Sequence, residues 1–577
     1  MNFRTFCFIS ILISVLTFPS CSPARKIEQD KEISAFKYRE VYLPEALGKG
    51  ADSLGLNSLD EDWGIWGHNL SNVLPEDPSE SVYAKVNGVT HRSQFCFSST
   101  KLHEYISEYI RDNYGRNDKA RFSIIPNDND IVCLCQVCVE IGNTKGNASP
   151  ALFSLINKLS EEFPNHIFYT SDYRTTSQVP NDTLPQNAGV LISAINYPLS
   201  YAETPQEIAF MERLDEWNTK TKRILIWDYI NNFDDYFTPF PVFGIMQRRL
   251  QNYKDKNVTA VFLNGSGPDA SSLSDLKSFV LAELTANPDA DWKNLLEKKA
   301  RENYPVTGKA ISDFMIAQEN FVKENLSLLP LYEGVNIARK TYLPEALFLT
   351  FHDNIKTLQD KAQGEEREKI DILLGELALT RLELNRLNGD FSKSEIWIKD
   401  IESLLDKNIS SYNESGWLIE SYLADYRLML QKAEEYKDNN KLMGKNLKAL
   451  TPLDDEYSDL SVLTDGLLGL PSNYHNGHVL ISPSSQTKIE IPGIENGRKL
   501  MVWLSYNPGY KIYLPQMVSL SAPNMNSIDV EPQYPKDLSG HSLVEFELPE
   551  EISGPFTLIL TKDPEKRSMA IEEIIII

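Results

Sequence analysis

The sequence predicts a multidomain protein in which a TIM-like (β/α) barrel is followed by an all-α extension and an all-β domain. From residue 36 to 290, short apolar runs alternate with amphipathic stretches, which is typical of parallel strands joined by helices. In residues 291–450 glycine is scarce and apolar residues recur at helical spacing, which predicts a helical domain. In residues 455–577, alternating runs separated by Pro, Gly and Asn predict a β-sandwich.

The barrel region contains seven predicted strands, one fewer than a closed eight-stranded barrel has. The strands are predicted at residues 36–43, 63–67, 120–125, 166–170, 189–195, 223–230 and 258–263. Helices are predicted between them at 101–112, 150–163 and 205–217. Because parallel strands connect through right-handed crossovers, we expect these helices to cover the outside of the sheet.

The chain is strongly acidic, since 57 basic and 81 acidic side chains give it a formal net charge of −24. It contains no long basic run. Phosphate backbones and anionic lipid surfaces attract basic proteins. The composition therefore predicts no nucleic-acid partner.

Residues 1–21 have the layout of a bacterial lipoprotein signal peptide. Arg4 precedes the apolar stretch FCFISILISVLTF, which is too short to span a bilayer, and Cys21 follows shortly after it. We expect Cys21 to be lipidated, which would anchor the protein in the cell envelope, on the periplasmic or outer-membrane surface. An ordinary cleaved secretory signal is the alternative.

Four further cysteines lie close together in the barrel region, namely Cys96, Cys133, Cys135 and Cys138. An even number of cysteines outside the reducing cytosol permits disulfides. Four thiolates can equally bind a structural zinc ion, although the spacing is not one of the common zinc patterns. Free buried thiols are the third interpretation, and all three give these residues a structural role.

Seven stretches between residues 36 and 291 are distinctive in combination: FKYREVY, WGIWGHNLSNVLP, QFCFSSTKLHEYI, SIIPNDNDIVCLCQVC, RILIWDYINNFDDYFTPFPVFG, VTAVFLNG and FVLAELTANPDAD. Together they resemble the Bacteroidetes lipoproteins catalogued as the domain of unknown function 4838 family. The resemblance implies a barrel like those of glycoside hydrolases of the hexosaminidase and α-glucuronidase type. It also implies an oligosaccharide or polysaccharide partner and no required cofactor.

Two further features bear on this resemblance. The family tends to place a glutamate after the strand VTAVFL, where this chain has Asn264. An amide cannot serve as nucleophile or general base, so Asn264 is expected to bind substrate only. Near the C-terminus, LTDGLLGLPSNYHNGHVLI and AIEEIIII resemble discoidin-like sandwiches that bind carbohydrate.

Cleavage of a glycosidic bond needs one carboxylic acid to protonate the leaving oxygen and a second carboxylate to attack or to activate water. The predicted strands end near five acidic residues: Glu40, Asp128, Asp130, Asp172 and Asp228. Asp128 is the first candidate for the general acid, because it follows a buried strand and opens the loop that carries three cysteines. Asp172 and Asp228 are the other catalytic candidates.

Each of these assignments has a structural alternative. Asp128 can cap its own turn, as aspartates often do. Asp228 can form a buried ion pair, and Arg39 and Arg174 are the partners considered for it. Arg39 and Glu40 alternate faces of the first strand, so one of them points inward. Arg39 is the expected substrate contact, since its guanidinium suits carboxylates and hydroxyls.

Sugars present both hydroxyl edges and apolar faces, so their sites combine polar groups with aromatic rings. The strand ends supply such a mixture in Trp66, His68, Tyr173, Trp227 and Tyr229. Aromatic residues in strands also fill protein cores, and His68 can be a hydrogen-bonded structural residue. In the C-terminal domain the sequence VWLSYNPGYKIY offers a second aromatic group of Trp503, Tyr506, Tyr510 and Tyr513. Asp465 there fits a turn or a calcium ligand.

The resemblance and the strand-end residues predict a glycoside hydrolase that acts on complex glycans outside the cytoplasm by a two-carboxylate mechanism. The alternative is a non-catalytic glycan-binding lipoprotein with a degenerate barrel site, and Asn264 favours it. The discriminating feature is a pair of carboxylates about 5 to 9.5 Å apart across one cleft.

Overall fold

The structure, a computed structural model, forms two compact units. It describes residues 34–115, 119–454, 456–481, 485–523, 525–536, 540–549, 554–566 and 568–577. Within these, the first unit comprises residues up to 232 with 239–331 and 341–362, and the second comprises 233–238, 332–340 and 363–577. The helices of the predicted 291–450 domain are divided between the two units. The predicted signal peptide and Cys21 lie outside the described residues.

The first unit is built on a parallel sheet of seven strands, each of which the sequence predicted. They are β1 Tyr38–Tyr42, β2 Trp63–Ile65, β3 Arg121–Ser123, β4 Ile167–Asp172, β5 Ala188–Ser193, β6 Ile224–Tyr229 and β7 Ala260–Asn264. Their order in the sheet is β1-β7-β6-β5-β4-β3-β2, with every neighbouring pair parallel. All strands therefore end at one edge of the sheet, which we call the carboxyl edge. The prediction of a parallel sheet with connecting helices is confirmed.

In the first unit, helices follow most of the strands. Further helices belong to the second unit. The described α-helices are α1 Lys49–Ser53, α2 Leu59–Asp62, α3 Thr100–Tyr114, α4 Gln136–Ile141, α5 Ser149–Glu162, α6 Pro205–Asn218, α7 Phe243–Asp255, α8 Ser274–Ala286, α9 Trp292–Asn303, α10 Gly308–Glu324, α11 Val335–Thr341, α12 Glu345–Leu358, α13 Gly364–Asn388, α14 Ser394–Leu405 and α15 Ile419–Tyr436. Three of them begin where the sequence places a cap: Ser99 accepts from the Leu102 amide before α3, and Thr204 precedes the proline that opens α6. Asp291 caps α9 in the same way.

The sheet is curled, so that its two outer strands approach each other. The ring centroids of Tyr38 on β1 and Trp63 on β2 are 5.9 Å apart. The free side of β1 is covered by Asn57, whose amide donates to the Arg39 carbonyl (2.8 Å) and whose Oδ1 accepts from the Arg39 amide (3.0 Å). The segment before β2 thus occupies the place next to β1 that an eighth strand would take in a closed barrel.

The inner face of the curled sheet is filled mainly by aromatic side chains. Tyr38, Trp63, Tyr169 and Phe262 form its buried cluster together with Leu191, Leu225 and Ala260. Aromatic residues that pack on this cluster nearer the carboxyl edge, such as Trp66 and Trp227, are half-buried. Away from the carboxyl edge, the inner face is therefore a packed core. At the carboxyl edge, it is a partly exposed aromatic surface.

A short antiparallel hairpin, Tyr83–Val86 with Val89–Phe95, stands between β2 and α3. A second short pair joins Leu199–Ser200 to Leu328–Leu329. The hairpin matters for the site because Cys96 follows its second strand directly. Its residues Ala84 and Phe95 belong to the hydrophobic cluster that also contains Cys96, Cys133 and Cys138.

In the second unit, helices α13 to α15 precede two antiparallel sheets. The strands are β8 Lys448–Ala449, β9 Val479–Ile481, β10 Gln486–Ile491, β11 Lys499–Tyr506, β12 Met517–Ala522, β13 Met525–Val530, β14 Gly540–Glu547, β15 Phe556–Thr561 and β16 Met569–Ile576. One sheet has the order β8-β10-β15-β12-β13, and the other has the order β9-β16-β11-β14. Buried residues of both sheets, including Ile489, Val502 and Ile574, form one hydrophobic cluster.

None of the helices in the described ranges is both long and apolar enough to cross a membrane.

Candidate functional site at the carboxyl edge of the curled sheet

Alternation along the strands decides which strand-end residues face the interior. On β6, Leu225 and Trp227 belong to the inner aromatic core, so Tyr229 faces inward with them. Asp228, between Trp227 and Tyr229, must then face the surrounding helices. The same reasoning applies to every strand of the sheet and separates the predicted site residues into two groups.

Asp228 lies in the outward group and is fully buried. Its Oδ1 accepts from Nη1 of Arg249 on α7 at 2.5 Å, and its Oδ2 accepts from the Tyr253 hydroxyl at 2.6 Å. The ion pair that the sequence allowed is present, but its partner is Arg249 rather than Arg39 or Arg174. Asp228 therefore ties β6 to α7 and does not reach the inner face, contrary to the catalytic role predicted for it.

Asp172 at the end of β4 is also turned outward. Its Oδ2 accepts from Nε of Arg213 at 2.6 Å and from the indole N–H of Trp217 at 2.5 Å, both on α6. Burial raises the pKa of Asp172, while the nearby Arg213 guanidinium acts in the opposite direction. The predicted catalytic role for Asp172 is not supported by this position, because the carboxylate joins a strand to a helix.

On β1 the prediction chose the wrong neighbour, because Arg39 faces the helices and Glu40 faces inward. Arg39 Nη1 donates to the Ala282 carbonyl on α8 at 3.1 Å, and Nη2 donates to the Gly55 carbonyl at 2.6 Å. Glu40 accepts from the Tyr38 hydroxyl and from the Leu59 amide. Glu40 is almost completely buried, so it lies deep in the interior rather than at the exposed end.

Asp128 lies at the carboxyl edge, as predicted, and is held by an arginine from the next strand. Nη1 of Arg174, which follows β4, donates to Asp128 Oδ1 at 2.8 Å. The same guanidinium grips the exposed Asp130 with two bonds of 2.8 and 3.0 Å. Asp128 Oδ2 is buried and accepts no hydrogen bond from the described residues. These two carboxylates together raise the pKa of Arg174, so its guanidinium stays positively charged.

Tyr173 adjoins Asp128, and His68 lies beside Tyr173. His68 Nδ1 is 2.6 Å from the carbonyl of Pro126, and because a carbonyl only accepts, Nδ1 carries the hydrogen. In neutral His68, Nε2 is therefore an acceptor. The ring centroids of His68 and Tyr173 are 6.1 Å apart. Burial, and after it the charge of Asp128, raises the pKa of Tyr173 to about 12.

Arg174 owes its position to its backbone, which has φ of 47°, a left-handed conformation that is uncommon outside glycine. The turn after β4 thereby aims the guanidinium at the loop after β3. Sequence reasoning considered Arg174 as a partner for Asp228. A turn conformation of this kind has no clear sequence signal when the residue is an arginine.

Trp66, Trp227 and Tyr229 lie on the inner face, where they mostly pack on other side chains. Trp66 stacks on Trp227 with centroids 5.2 Å apart and planes at 16°. Both rings also contact Phe262, and both are half-buried. The Tyr229 hydroxyl is 3.2 Å from the Ser193 hydroxyl. These rings both fill the core and offer their remaining surface at the carboxyl edge.

Asn264 ends β7 on the same inner face as Phe262. It stands in register between Tyr42 on β1 and Tyr229 on β6. It is half-buried. The amide therefore occupies the inward position at the end of β7, with a tyrosine on each neighbouring strand.

One acidic residue at this edge was missed by sequence reasoning. Asp269 lies in the loop after β7, in which the Gly267 amide donates to the Tyr42 carbonyl at 3.0 Å. Partial burial raises the pKa of Asp269. The signal that was available is its place five residues after a strand end, in the sequence FLNGSGPDA.

The four cysteines come together beside the Asp128 loop. All are free thiols, and their sulfur atoms lie within 4.8 Å of one another, an arrangement that can hold a metal ion. Cys96 Sγ is 3.7 Å from both Cys135 Sγ and Cys138 Sγ. The disulfide alternative is thus absent from the structure.

The aromatic residues predicted in the second unit separate into two kinds. Trp503 is buried, and Tyr510 stacks on Trp417 and accepts from Asn413 at 2.9 Å. Tyr506 and Tyr513 are half-buried, and Tyr506 also contacts the exposed Tyr534. Asp465 accepts from the Leu467 amide in its own turn.

Comparison with solved structures finds distant likenesses. A family GH115 4-O-methyl-α-glucuronidase with specificity for decorated arabinogalactans is 10% identical, over 83% of this chain and 66% of its own, with a TM-score of 0.34. This chain thus covers slightly less than two thirds of that protein. A GH138 enzyme targeting pectin rhamnogalacturonan II is 9% identical, over 94% of this chain and 86% of its own, with a TM-score of 0.34.

A further likeness covers a smaller share of the chain. A Streptococcus pneumoniae fucose binding module is 12% identical, over 24% of this chain and 97% of its own, with a TM-score of 0.18. A search of curated proteins finds no match.

The family comparison agrees with the motifs of the first unit. A family model described as Domain of unknown function (DUF4838) matches residues 32–315, a range that contains all seven strands of the curled sheet and the carboxyl-edge residues. This part of the chain therefore belongs to the domain of unknown function 4838 family.

Proposed function

We propose that this protein binds an oligosaccharide or polysaccharide at the carboxyl edge of the curled sheet. The observation that carries the proposal is the grouping of Asp128, Tyr173 and His68, with the half-buried Trp66 two residues before His68 in the chain. Sugars combine hydroxyl groups with apolar ring faces, and this grouping combines hydrogen-bonding groups with an aromatic surface.

The state of Asp128 favours binding of hydroxyl groups. Arg174 neutralises its charge through Oδ1, whereas Oδ2 is buried and accepts no hydrogen bond of ordinary geometry from the described residues, the Tyr173 hydroxyl being the neighbouring polar group. A buried acceptor that lacks a donor costs free energy, and a ligand hydroxyl that donates to it recovers that cost. Asn264 adds an amide that can both donate and accept.

Binding is favoured over hydrolysis because the predicted catalytic carboxylates do not converge. Asp172 and Asp228 are turned to the helices, and each is bound to an arginine there. Of the three predicted catalytic residues, Asp128 is the one paired with an arginine from the turn after a strand and not with an arginine of a covering α-helix. The two-carboxylate mechanism needs a second acid facing the same sugar.

Calorimetric titration of the protein with a panel of oligosaccharides tests the proposal. We expect Asp128→Asn to weaken binding by about tenfold or more, because the amide presents an N–H where the ligand needs an acceptor. Asp130→Asn is the matched control, since Asp130 contacts the same guanidinium but is exposed, and it should retain affinity. Equal affinity of both variants would contradict the proposed site.

Hydrolysis of a glycosidic bond is the second candidate function, and Asp269 is the observation that favours it. Its raised pKa suits a general acid, while Asp128, paired with Arg174, suits the role of the second carboxylate. The two residues follow β7 and β3, which are separated by three strands of the sheet. Such a reaction needs no cofactor, and a metal held by the four cysteines would have a structural role.

Turnover of aryl glycosides and uronides distinguishes the two functions. A hydrolase that uses this pair would lose activity in both Asp128→Asn and Asp269→Asn, while Asp228→Asn would affect stability more than turnover. Binding without turnover across the panel would leave the binding function alone.

We further propose that lipidation of Cys21 anchors the protein in the cell envelope, and that the two sheets of the second unit form a discoidin-like β-sandwich that binds carbohydrate. The group of Tyr506, Tyr513 and Tyr534 supports the second point, since its rings remain partly accessible. Release of a Cys21→Ser variant from the membrane fraction tests the lipid anchor. Loss of polysaccharide retention in Tyr506→Ala tests carbohydrate binding by the two sheets.

A further inference from the structure

Two separate segments of the first unit supply the four clustered cysteines. Cys96 directly follows the hairpin strand Val89–Phe95. Cys133, Cys135 and Cys138 lie at the end of the Asp128 loop and the beginning of α4. The cluster therefore joins a hairpin to the loop that carries a candidate site residue.

The distances in the cluster match a tetrahedral thiolate site. Four sulfur atoms that each lie about 2.3 Å from one Zn²⁺ are about 3.8 Å from one another. Cys96 Sγ is 3.7 Å from both Cys135 Sγ and Cys138 Sγ, and all four sulfur atoms fall within 4.8 Å. Cys96 Sγ is thus equally close to two other sulfur atoms, which fits four ligands around a common centre.

The surroundings are those of a closed structural site. Cys96, Cys133 and Cys138 are buried, and Cys135 is half-buried. The Lys85 amide donates to Cys133 Sγ at 3.3 Å, and the Ser98 hydroxyl is 3.1 Å from Cys138 Sγ. Hydrogen-bond donors around thiolate ligands orient them and spread their negative charge. Four protein ligands leave no open position, which is typical of structural rather than catalytic zinc.

We propose that Cys96, Cys133, Cys135 and Cys138 bind one Zn²⁺ in a tetrahedral site that fixes the Asp128 loop to the hairpin. Direct hydrogen bonds already run between the same segments. The Leu134 amide donates to the Lys85 carbonyl at 2.7 Å, and the Gln94 side chain donates to the Asn127 carbonyl at 2.9 Å. A metal held by the four cysteines would add to this connection between the hairpin and the Asp128 loop.

Metal analysis of the purified full chain tests the site without reference to any glycan. We expect one zinc per chain, resistant to dialysis, and replacement by Co²⁺ should give the charge-transfer and intense visible absorption of tetrahedral thiolate coordination. A protein without zinc that also shows no such spectrum with Co²⁺ would overturn the proposal. Disulfides among these cysteines in the purified protein would overturn it as well.

Three variants separate ligation from folding. Cys135→Ser, at the half-buried ligand, should lose tight zinc binding, whereas Cys135→His should retain it because imidazole replaces thiolate in many zinc sites. Ser98→Ala removes a neighbouring hydroxyl but no ligand, and it should keep one zinc per chain. Full zinc in Cys135→Ser would exclude Cys135 as a ligand and overturn the four-cysteine site.

Hydrogen exchange tests the role of the metal in positioning the loop. Removing zinc should increase exchange in residues 126–138 and in the hairpin, while β5 and β6 remain protected. Because this readout requires no ligand, it stands even if the glycan site is wrong. A zinc-loaded protein whose loop exchanges at the same rate after metal removal would overturn the positioning role.

Discussion

The two sides of the curled sheet use the same residue types for different purposes. On the helix side, Asp228 and Arg39 are buried and Asp172 is half-buried, and these side chains contact α7, α8 and α6 respectively. At the carboxyl edge, Asp128 shares one arginine with Asp130, and its Oδ2 accepts no hydrogen bond from the described residues. The helix side thus resembles a protein core held by ion pairs, and the inner carboxyl edge resembles a binding surface.

This contrast shows that a carboxylate at a strand end is not by itself a site residue. A one-residue shift along a strand moves a side chain to the opposite face. Asp228 and Tyr229 are adjacent in sequence, yet one contacts Arg249 in the core and the other reaches Ser193 on the inner face. Substitutions on the helix side should therefore affect stability, and those on the inner side should affect ligand binding.

The largest expected effect is on the helix side, at Asp228. Asp228→Ala leaves the buried Arg249 without its partner, and breaking a buried pair in this way costs about 3–5 kcal/mol of unfolding free energy. Urea denaturation measures this loss. Asp130→Ala is the control, because its exposed ion pair should contribute less than about 1 kcal/mol. Similar losses for the two variants would remove the distinction between the sides.

Glu319 on α10 provides a test of pH dependence away from the carboxyl edge. Its burial raises the pKa to about 7, although the amides of Phe243 and Gly244 donate to it. Between about pH 4.5 and pH 7 the folded state then binds more protons than the unfolded state, so stability falls as the pH rises through this window.

Glu319→Gln should remove up to about 3 kcal/mol of the change in unfolding free energy across this pH window, since glutamine does not titrate. Melting temperatures of both proteins across this window provide the measurement. An unchanged pH profile in the variant would show that Glu319 is already ionised at the lower end of the window.

A smaller loss of stability is expected at Arg39. Arg39→Gln removes charged hydrogen bonds to the Ala282 and Gly55 carbonyls, which should cost about 2 kcal/mol. Glycan affinity, measured by calorimetry, should remain that of the unmodified protein. Loss of affinity with unchanged stability would instead return Arg39 to the substrate-binding role that the sequence suggested.

The smallest effect on stability is expected at Tyr173, on the inner side. Tyr173→Phe keeps the ring beside His68 and removes a hydroxyl near Asp128, so stability should change by less than about 0.5 kcal/mol. Glycan affinity should fall several-fold if the hydroxyl contacts the ligand. A stability loss larger than the loss of affinity would place Tyr173 with the structural residues.

The sequence was a good guide to the sheet and a poor guide to side-chain direction. All seven strands occur where apolar runs predict them, because burial on both faces gives parallel strands a continuous apolar pattern. That same continuity hides the alternation that would have placed Arg39, Asp172 and Asp228 outside. The partner Arg249 lies 21 residues from Asp228, on a helix whose rotation the sequence does not specify.

Asp128 and the cysteines were found for a simpler reason. The proline after Ile125 ends an apolar run, so the residues that follow must lie in a loop beyond the strand. Cys133 to Cys138 continue that loop, and the short spacing alone keeps their sulfur atoms close. The distance to Cys96, by contrast, depends on the hairpin, which the sequence analysis did not include among its strands.

The contact between Asn57 and Arg39 also affects how the molecule behaves in crowded surroundings. An uncovered outer strand offers unpaired amides and carbonyls to any other extended chain, which is a common route to aggregation. Here the Asn57 amide and side chain occupy both hydrogen-bonding groups of Arg39 on the free side of β1. The residues that complete the curl thus also protect β1 from pairing with a neighbouring molecule.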